Sequence, residues 1–304
     1  MNSIQTEICV IKTKNLLSEE EAAIVKNSFI PHISTVFTTK IKNDEKTWKD
    51  IIEELMTTIS KVLELSSFAL ATEHTWSYLK IYSGDPSISS FVYSEIKNTL
   101  PIVPTSHETI DVSRLQHFLN KSYQNYNNEI NTKYNFSAAL RWYLDSTSLR
   151  YDVMKYISAS TALESILDSS IRDEESIIDK KTFKTVVVKL EQILEQELRG
   201  KIESHDFDSL LASLENINRR PYRSKAKKLL QSLGILDNEA KEALEDIISV
   251  RNKITHTGRF RIGAGDEKKV IQTYFKLFRL LRRIFLRILS YDADPLPDFT
   301  ELSG

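Results

Sequence analysis

The chain has 304 residues, of which 41% are hydrophobic and 27% charged, and its formal net charge is −1. The apolar fraction is large enough to bury a core, while glycine and proline, seven residues each, are too scarce for a collagen-like or low-complexity chain. A single cysteine, Cys9, excludes an intramolecular disulfide framework and a zinc site built on cysteine pairs. We therefore expect a helix-rich protein of one or two domains in a reducing, cytoplasmic compartment.

The sequence shows no targeting or membrane segment of the usual kinds. Residues 1–17 lack the basic segment and apolar run of a secretory signal, so we expect no signal peptide. No run of about 18 apolar residues occurs, so we predict no transmembrane helix and no membrane partner.

The charge is unevenly distributed along the chain. Residues 199–290 contain 20 lysines and arginines against 11 aspartates and glutamates, whereas residues 1–198 contain 21 against 27. A basic carboxy-terminal half favours a polyanionic partner such as nucleic acid. The alternative is that this charge only solvates helix faces, which are often basic.

The first 130 residues give mixed signals. Apolar residues at helical spacing predict an amphipathic helix over residues 44–65. Other segments alternate or are rich in β-branched and aromatic residues, which predicts strands. We therefore expect residues 1–130 to form a domain of mixed α/β or irregular helical fold with a sensing or regulatory role, bounded by a polar segment at 121–135. The predicted strands lie in residues 5–14, 66–84 and 87–96, and a further short helix in residues 18–29.

From residue 134 onward the helical periodicity is continuous, which predicts a mainly α protein with an all-α bundle domain over residues 134–304. Gly200 and Gly234 mark helix ends, Pro221 opens a helix and Asp237 caps another. The last helix is apolar over a wide face and is predicted to lie at the centre of the bundle. The predicted helices are 135–146, 150–170, 181–199, 205–217, 221–234, 237–258 and 266–290.

The penultimate predicted helix ends in SVRNKITHTG, residues 249–258. Asn252 and His256 are four residues apart and share a helix face. Arg251 and His256 are five apart, which separates them by about 140° around a regular helix. A joint role for these two residues therefore needs an irregular helix end, or a second copy of the helix in a symmetric dimer.

These residue types suit one kind of chemistry. An imidazole can give or take a proton near neutral pH, and a guanidinium grips phosphate oxygens. Together they suit cleavage of an RNA phosphodiester, in which the 2′-hydroxyl attacks phosphorus and the arginine stabilises the charge that builds there. DNA lacks that hydroxyl, so the predicted partner is RNA.

The R-N-x-x-x-H pattern of Arg251, Asn252 and His256 resembles the Arg-polar-x-x-x-His motif of the HEPN superfamily. A second block, residues 136–167, resembles the paired helices of the Apea-like HEPN branch. Its "ALE" segment is matched here by Ala162, Leu163 and Glu164. The resemblance covers residues 134–290, about half of the chain.

This resemblance implies a HEPN-like helical bundle with metal-independent endoribonuclease activity, in a defence, toxin–antitoxin or RNA-processing setting. It implies that Arg251 and His256 are catalytic and that Asn252 is their polar helper. It also implies no cofactor, a homodimer with a composite active site, and control by a regulatory or antitoxin protein. The alternative is a non-catalytic HEPN-like module that binds nucleotide, nucleic acid or a partner protein.

Other charged residues have two interpretations each. Lys253, Arg259 and Arg261 either contact the RNA backbone or form a solvated loop. Glu164 either pairs with a base such as Arg251 and holds the site, or is a buried structural acid. The basic segment 219–228 is either an RNA track or a solvated helix face. Arginines of the last helix are expected to pair with acids on neighbouring helices.

Overall fold

A computed structural model of the protein describes residues 9–10, 37–38, 48–71, 79–80, 92–93, 108–149, 152–171, 176–214, 217–257 and 264–292. The protein is mainly helical, as the sequence predicts. It divides into two compact units, one formed by residues 1–127 with 289–304 and the other by residues 128–288. Within the described ranges, no helix is both long and apolar enough to span a bilayer.

Within its described residues, the first unit contains a long helix and a shorter one. Two antiparallel pairs of two-residue strands are also present; the strands at 9–10, 79–80 and 92–93 lie in segments where strands are expected, whereas the strand at 37–38 does not. The helix expected at 18–29 lies outside the described residues. The elements are α1 (Trp48–Leu70), a 3₁₀ turn (Val112–Arg114), α2 (Leu115–Asn125), β1 (Cys9–Val10) paired with β2 (Phe37–Thr38), and β3 (Leu79–Lys80) paired with β4 (Val92–Tyr93).

The helix predicted over residues 44–65 is confirmed, but it starts at Trp48 and continues to Leu70. The strand expected from residue 66 is therefore wrong over 66–70. The reason is tertiary packing, because Phe68 is fully buried and its ring lies 6.0 Å from that of Phe118 on α2. Continuing the helix buries the side chain of Phe68. The stabilisation from this burial outweighs the local preference of residues 66–70 for a strand.

The second unit is a bundle of eight helices within its described residues. The seven helices predicted from residue 135 onward are confirmed, with ends that differ by a few residues. An additional one lies in the polar segment 121–135, where the boundary between the two units also falls. The helices are α3 (Asn128–Tyr134), α4 (Phe136–Ser148), α5 (Asp152–Ser170), α6 (Lys180–Leu198), α7 (Ser204–Leu214), α8 (Tyr222–Ser232), α9 (Asn238–Thr257) and α10 (Ala264–Ile288).

The α4 and α5 helices form an antiparallel pair. The Ser158 hydroxyl donates to the Trp142 carbonyl at 2.8 Å, and the Asn135 amide donates to the Ser165 hydroxyl at 2.8 Å. Asn135 joins α3 to α4 in a left-handed conformation, with φ of 48°. Asparagine tolerates this conformation better than most residues, so one residue suffices for the turn.

The last helix, α10, lies at the centre of the bundle, as predicted. Phe278 and Phe285 are fully buried, and Phe278 stacks on Tyr143 of α4 with ring centroids 4.7 Å apart. Arg282 is also fully buried, with its Nε donating to the Tyr143 hydroxyl at 3.3 Å and its guanidinium 4.7 Å from the Phe278 ring. Aromatic faces and a phenol oxygen therefore surround a charge that would be costly to bury in purely aliphatic surroundings.

Two arginines at the edge of α10 pair with acids at the start of α9, which confirms the expectation for these two arginines of the helix. Arg279 contacts Glu239 at 3.2 Å, and Arg283 forms a hydrogen-bonded ion pair with Asp237. Asp237 also caps α9, because its Oδ1 accepts from the Ala240 amide at 2.8 Å. One carboxylate thus starts α9 and ties it to α10.

We expect Asp237→Ala to lower the free energy of unfolding by about 1–2 kcal/mol at pH 7, because it removes both the cap and the ion pair. Asp237→Asn is the matched control, since asparagine caps a helix well but carries no charge. Urea denaturation of the 304-residue chain measures both variants. Equal losses in the two variants would show that the cap contributes nothing.

The same residue gives a pH dependence. The hydrogen bond from Arg283 holds the pKa of Asp237 below its ordinary value. The ionised Asp237 carboxylate therefore stabilises the fold fully above about pH 4. This stabilisation is lost as the pH falls through the lower pKa that Asp237 has in the folded state. The difference in stability between wild type and Asp237→Asn should accordingly shrink on acidification. A constant difference down to about pH 3 would contradict this assignment.

Candidate functional site

The candidate site lies on the carboxy-terminal half of α9, which is one continuous α-helix to Thr257. The helix is oriented by an apolar stripe in which Leu244 and Ile247 are fully buried and Val250 nearly so. These residues fall at positions i, i+3 and i+6 and therefore lie on one side of the helix. Burying this side holds Arg251 at the edge of the packed surface, where it is partly exposed.

Arg251 is paired with Glu164 of α5. Its Nε donates to Glu164 Oε1 at 2.6 Å, and the two side chains are 32% and 38% exposed. Glu164 is therefore not a buried acid, and the pairing with Arg251 considered from the sequence is present. This contact joins the ALE segment to the R-N-x-x-x-H segment, 87 residues later in the chain.

Tyr222, the first residue of α8, supports the other side of Arg251. The guanidinium carbon of Arg251 lies 4.7 Å from the centroid of the Tyr222 ring. The Tyr222 hydroxyl is buried and has no hydrogen-bond partner among the residues that the structure describes. Burial, followed by the negative charge of Glu164, raises the pKa of this phenol, so it stays neutral. Arg251 is thus held between a carboxylate and an aromatic face.

Tyr156 of α5 fixes the backbone beneath the site. Its hydroxyl donates to the carbonyl of Ile247 at 2.7 Å, and burial raises its pKa to about 12. The bond ties α5 to α9 one turn before Arg251. Neither Tyr156 nor Tyr222 was singled out from the sequence, because nothing in the linear spacing connects them to the motif.

The remaining predicted site residues are placed as follows. Asn252 and Lys253 are exposed on α9 next to Arg251. His256 lies in the last turn of α9, and Arg259 and Arg261 lie outside the described residues. Because the helix is regular through Thr257, Arg251 and His256 remain about 140° apart on it. The structure therefore brings Arg251 and Glu164 together but gives no single face that carries both Arg251 and His256.

Charges near the site are largely paired. Burial lowers the pKa of Arg251, but the hydrogen bond and charge of Glu164 together outweigh it, so the net shift is upward. In the basic segment 219–228, Lys225 contacts Asp168 at 3.1 Å and Arg223 is paired with Glu245. These contacts favour a helix face over an RNA track for this segment.

Among the residues described, no group of three or more His, Cys, Asp or Glu side chains is arranged to hold a metal ion. The chain matches no protein-family model, no curated protein and no solved structure.

A double-mutant cycle on Arg251→Ala and Glu164→Ala should give a coupling energy of about 1 kcal/mol in urea denaturation. The value is modest because solvent screens a pair that is one-third exposed. The matched control is the Arg223–Glu245 pair, which is about half exposed and should couple less strongly. A coupling energy of zero for Arg251 and Glu164 would show that the contact does not hold the arginine.

Tyr222→Phe should leave the protein as stable as wild type, or raise its free energy of unfolding by up to about 1 kcal/mol. The substitution keeps the ring beneath Arg251 and removes a buried hydroxyl for which the described part of the chain offers no hydrogen-bond partner. Chemical denaturation measures the difference. A loss of stability would reveal that the hydroxyl is bound in solution.

Proposed function

We propose that this protein is a metal-independent endoribonuclease of the HEPN type, acting as a defence or toxin effector in the cytoplasm. The observation that carries the proposal is the contact between Arg251 and Glu164. It brings together the two sequence blocks on which the resemblance depends, in a helical bundle. If the two short segments resembled the family only by chance, there would be no reason for them to be in contact in the folded protein.

In the proposed reaction, the 2′-oxygen of RNA forms a bond to phosphorus and the bond from phosphorus to the 5′-oxygen breaks. The 2′-hydroxyl loses a proton and the leaving 5′-oxygen gains one; His256 makes one of these transfers, as base or acid, and water makes the other. Arg251 stabilises the negative charge on the phosphoryl oxygens, and Asn252 orients the reacting groups. Glu164 and Tyr222 are positioning residues that restrict the guanidinium of Arg251. The products are a 2′,3′-cyclic phosphate and a 5′-hydroxyl.

The proposed active site is composite. Because positions 251 and 256 are about 140° apart around α9, one chain supplies the arginine and a second copy supplies the histidine. Lys253, Arg259 and Arg261 contact the RNA backbone nearby. The unit that contains residues 1–127 senses a signal or binds the regulatory or antitoxin protein that controls the site.

A non-catalytic HEPN-like module is the second candidate. The observation that favours it is that Arg251 is already engaged by Glu164 and Tyr222, as a structural arginine would be. Such a module would bind nucleotide, nucleic acid or a partner protein through the exposed part of the same surface. It predicts that no RNA is cleaved and that Arg251→Ala alters only binding or association.

The decisive experiment incubates the purified chain with single-stranded RNA in EDTA and analyses the RNA ends. We expect cleavage with cyclic phosphate ends, and a loss of at least about 100-fold in His256→Ala and in Arg251→Ala. Arg223→Ala is the matched control, since it also removes an ion-paired arginine of this region but should cleave normally. Cleavage that survives His256→Ala, or that requires a metal ion, would refute the proposal.

Mixing the two inactive variants tests the composite site. If each site takes Arg251 from one chain and His256 from the other, half of the dimers contain one intact site. Mixing Arg251→Ala with His256→Ala protein should therefore restore about one-quarter of wild-type activity. If both residues act within one chain, the mixture stays inactive.

A further inference from the structure

Trp142, in the middle of α4, has an exposed aromatic side chain. It is 45% exposed, and it is the only exposed one among the phenylalanine, tyrosine and tryptophan side chains that the structure describes. Large aromatic side chains contribute most to stability when they are buried. On a surface, tryptophan is instead enriched among the residues that supply the binding energy of a contact. Trp142 is therefore a candidate binding residue.

Trp142 does not belong to a broad apolar patch. Nine large apolar side chains are exposed in the described part of the chain, and seven of them lie between residues 177 and 217, on or near α6, where Ile193 is 54% exposed. Trp142 and Met154 are the remaining two. Protein–protein contacts are centred on several adjoining apolar side chains that together cover a few hundred Å². Two side chains do not supply such a surface, so the flat ring of Trp142 fits a flat ligand better, such as a nucleobase.

Trp142 lies beside an exposed strip of α5. The Ser158 hydroxyl of α5 donates to the Trp142 carbonyl at 2.8 Å, which places this part of α4 next to residue 158. Five residues of α5 follow one another at spacings of three and four, so they share one side of the helix. None of the five is buried: Met154, Ile157, Thr161, Glu164 and Asp168. Position 158 adjoins this strip, because residues 154 and 161 are its neighbours one turn away.

The same strip leads to Arg251. Glu164, which belongs to the strip, accepts a hydrogen bond from the Nε of Arg251. Positions 158 and 164 are six residues apart, which is a rise of about 9 Å along α5. The nucleotides of one strand of a duplex follow one another at about 3.4 Å, so about three nucleotides cover this rise. A strand whose phosphate is bound by Arg251 therefore brings a nearby base within reach of Trp142.

The charges of the strip are compatible with a phosphate backbone. Its two acids, Glu164 and Asp168, pair with Arg251 and Lys225. Lys253 is exposed on α9, two residues after Arg251. Because the acids are paired and a further cation lies close by, the strip does not strongly repel a polyanion.

We propose that the exposed ring of Trp142 stacks on a base of the RNA that is bound at Arg251, a few nucleotides from the cleaved bond. This inference rests on the proposed function, because it names a residue that binds the substrate of that site. Every base has a π face, so stacking on Trp142 does not select a sequence. It does select single strands, because the bases of a duplex are already stacked on one another. Trp142 thus binds the substrate and takes no part in the chemical step.

The test measures binding of a fluorescently labelled single-stranded RNA of about 12 nucleotides in which every 2′-oxygen is methylated. This RNA lacks the attacking hydroxyl and stays intact, so the wild-type chain can be used. We expect Trp142→Ala to weaken binding about tenfold in fluorescence anisotropy. Trp142→Phe keeps a ring and should lose much less, whereas Trp142→Leu keeps only apolar bulk and should resemble Trp142→Ala. Met154→Ala, which removes the other exposed apolar side chain outside residues 177–217, is the matched control and should bind as wild type does.

Abasic oligonucleotides locate the stacked base. Removing one base at a time should weaken binding to wild type most at one position. The same removal should have no further effect on Trp142→Ala, because the ring and the base form one contact. Base removals that weaken binding to both proteins equally at every position would overturn the stacking contact.

Circular dichroism verifies that the variants are folded, which is expected because the Trp142 side chain is exposed. A wild-type chain that does not bind the RNA would overturn the inference, and so would binding that Trp142→Ala leaves unchanged or that Trp142→Leu retains in full. Analytical ultracentrifugation gives a further check. If wild type associates and Trp142→Ala does not, the ring belongs to a protein–protein contact and the RNA assignment is wrong.

The failure of this inference is distinguishable from the failure of the proposed function. Cleavage of unmodified RNA in EDTA, together with unchanged binding by Trp142→Ala, would overturn the role of Trp142 alone. Binding that depends on Trp142 without any cleavage would refute the nuclease and leave the base contact standing.

Discussion

The packing of α4, α5 and α10 around shared aromatic rings is the interaction on which the bundle formed by residues 128–288 depends. Phe278 stacks on Tyr143, and Phe285 meets Phe136 edge-on with ring centroids 5.3 Å apart. These aromatic rings are fully buried and supply a large share of the apolar surface that is removed from water. The α5 helix packs directly against both α4 and α10, and α9 packs against α10, so these four helices share one core.

The geometry of the candidate site follows from this arrangement. The pairing of Arg283 with Asp237 aligns the start of α9 with α10, and the Tyr156–Ile247 hydrogen bond ties the middle of α9 to α5. With α9 held at these two points, Arg251 lies opposite Glu164. The pair is only partly buried, so it contributes little to the stability of the bundle. Its effect is to restrict a guanidinium that would otherwise move freely at the surface.

The elements that sequence reasoning predicted are those whose signals are local. Asp237 caps α9 by binding an amide three residues away, and Gly234 adopts a positive φ of 70° after α8. Residues 66–70 and the polar segment near 121–135 were misjudged or missed, because their helices are stabilised by distant partners rather than by their own composition. The ring of Phe118, for example, reaches both Phe68 and Tyr291. The pattern of residues within a short segment of sequence does not reveal contacts with residues far away in the chain.

The sequence by itself determined the helical class, the limits of most helices and the candidate residues Arg251, Asn252 and His256, because periodicity and residue chemistry are properties of short segments. Only the tertiary structure decided that Glu164 meets Arg251 and that the ring of Tyr222 lies under it. It also decided that α6 keeps an exposed apolar side. These facts depend on which helices become neighbours, and that depends on how side chains far apart in the chain fill a common core.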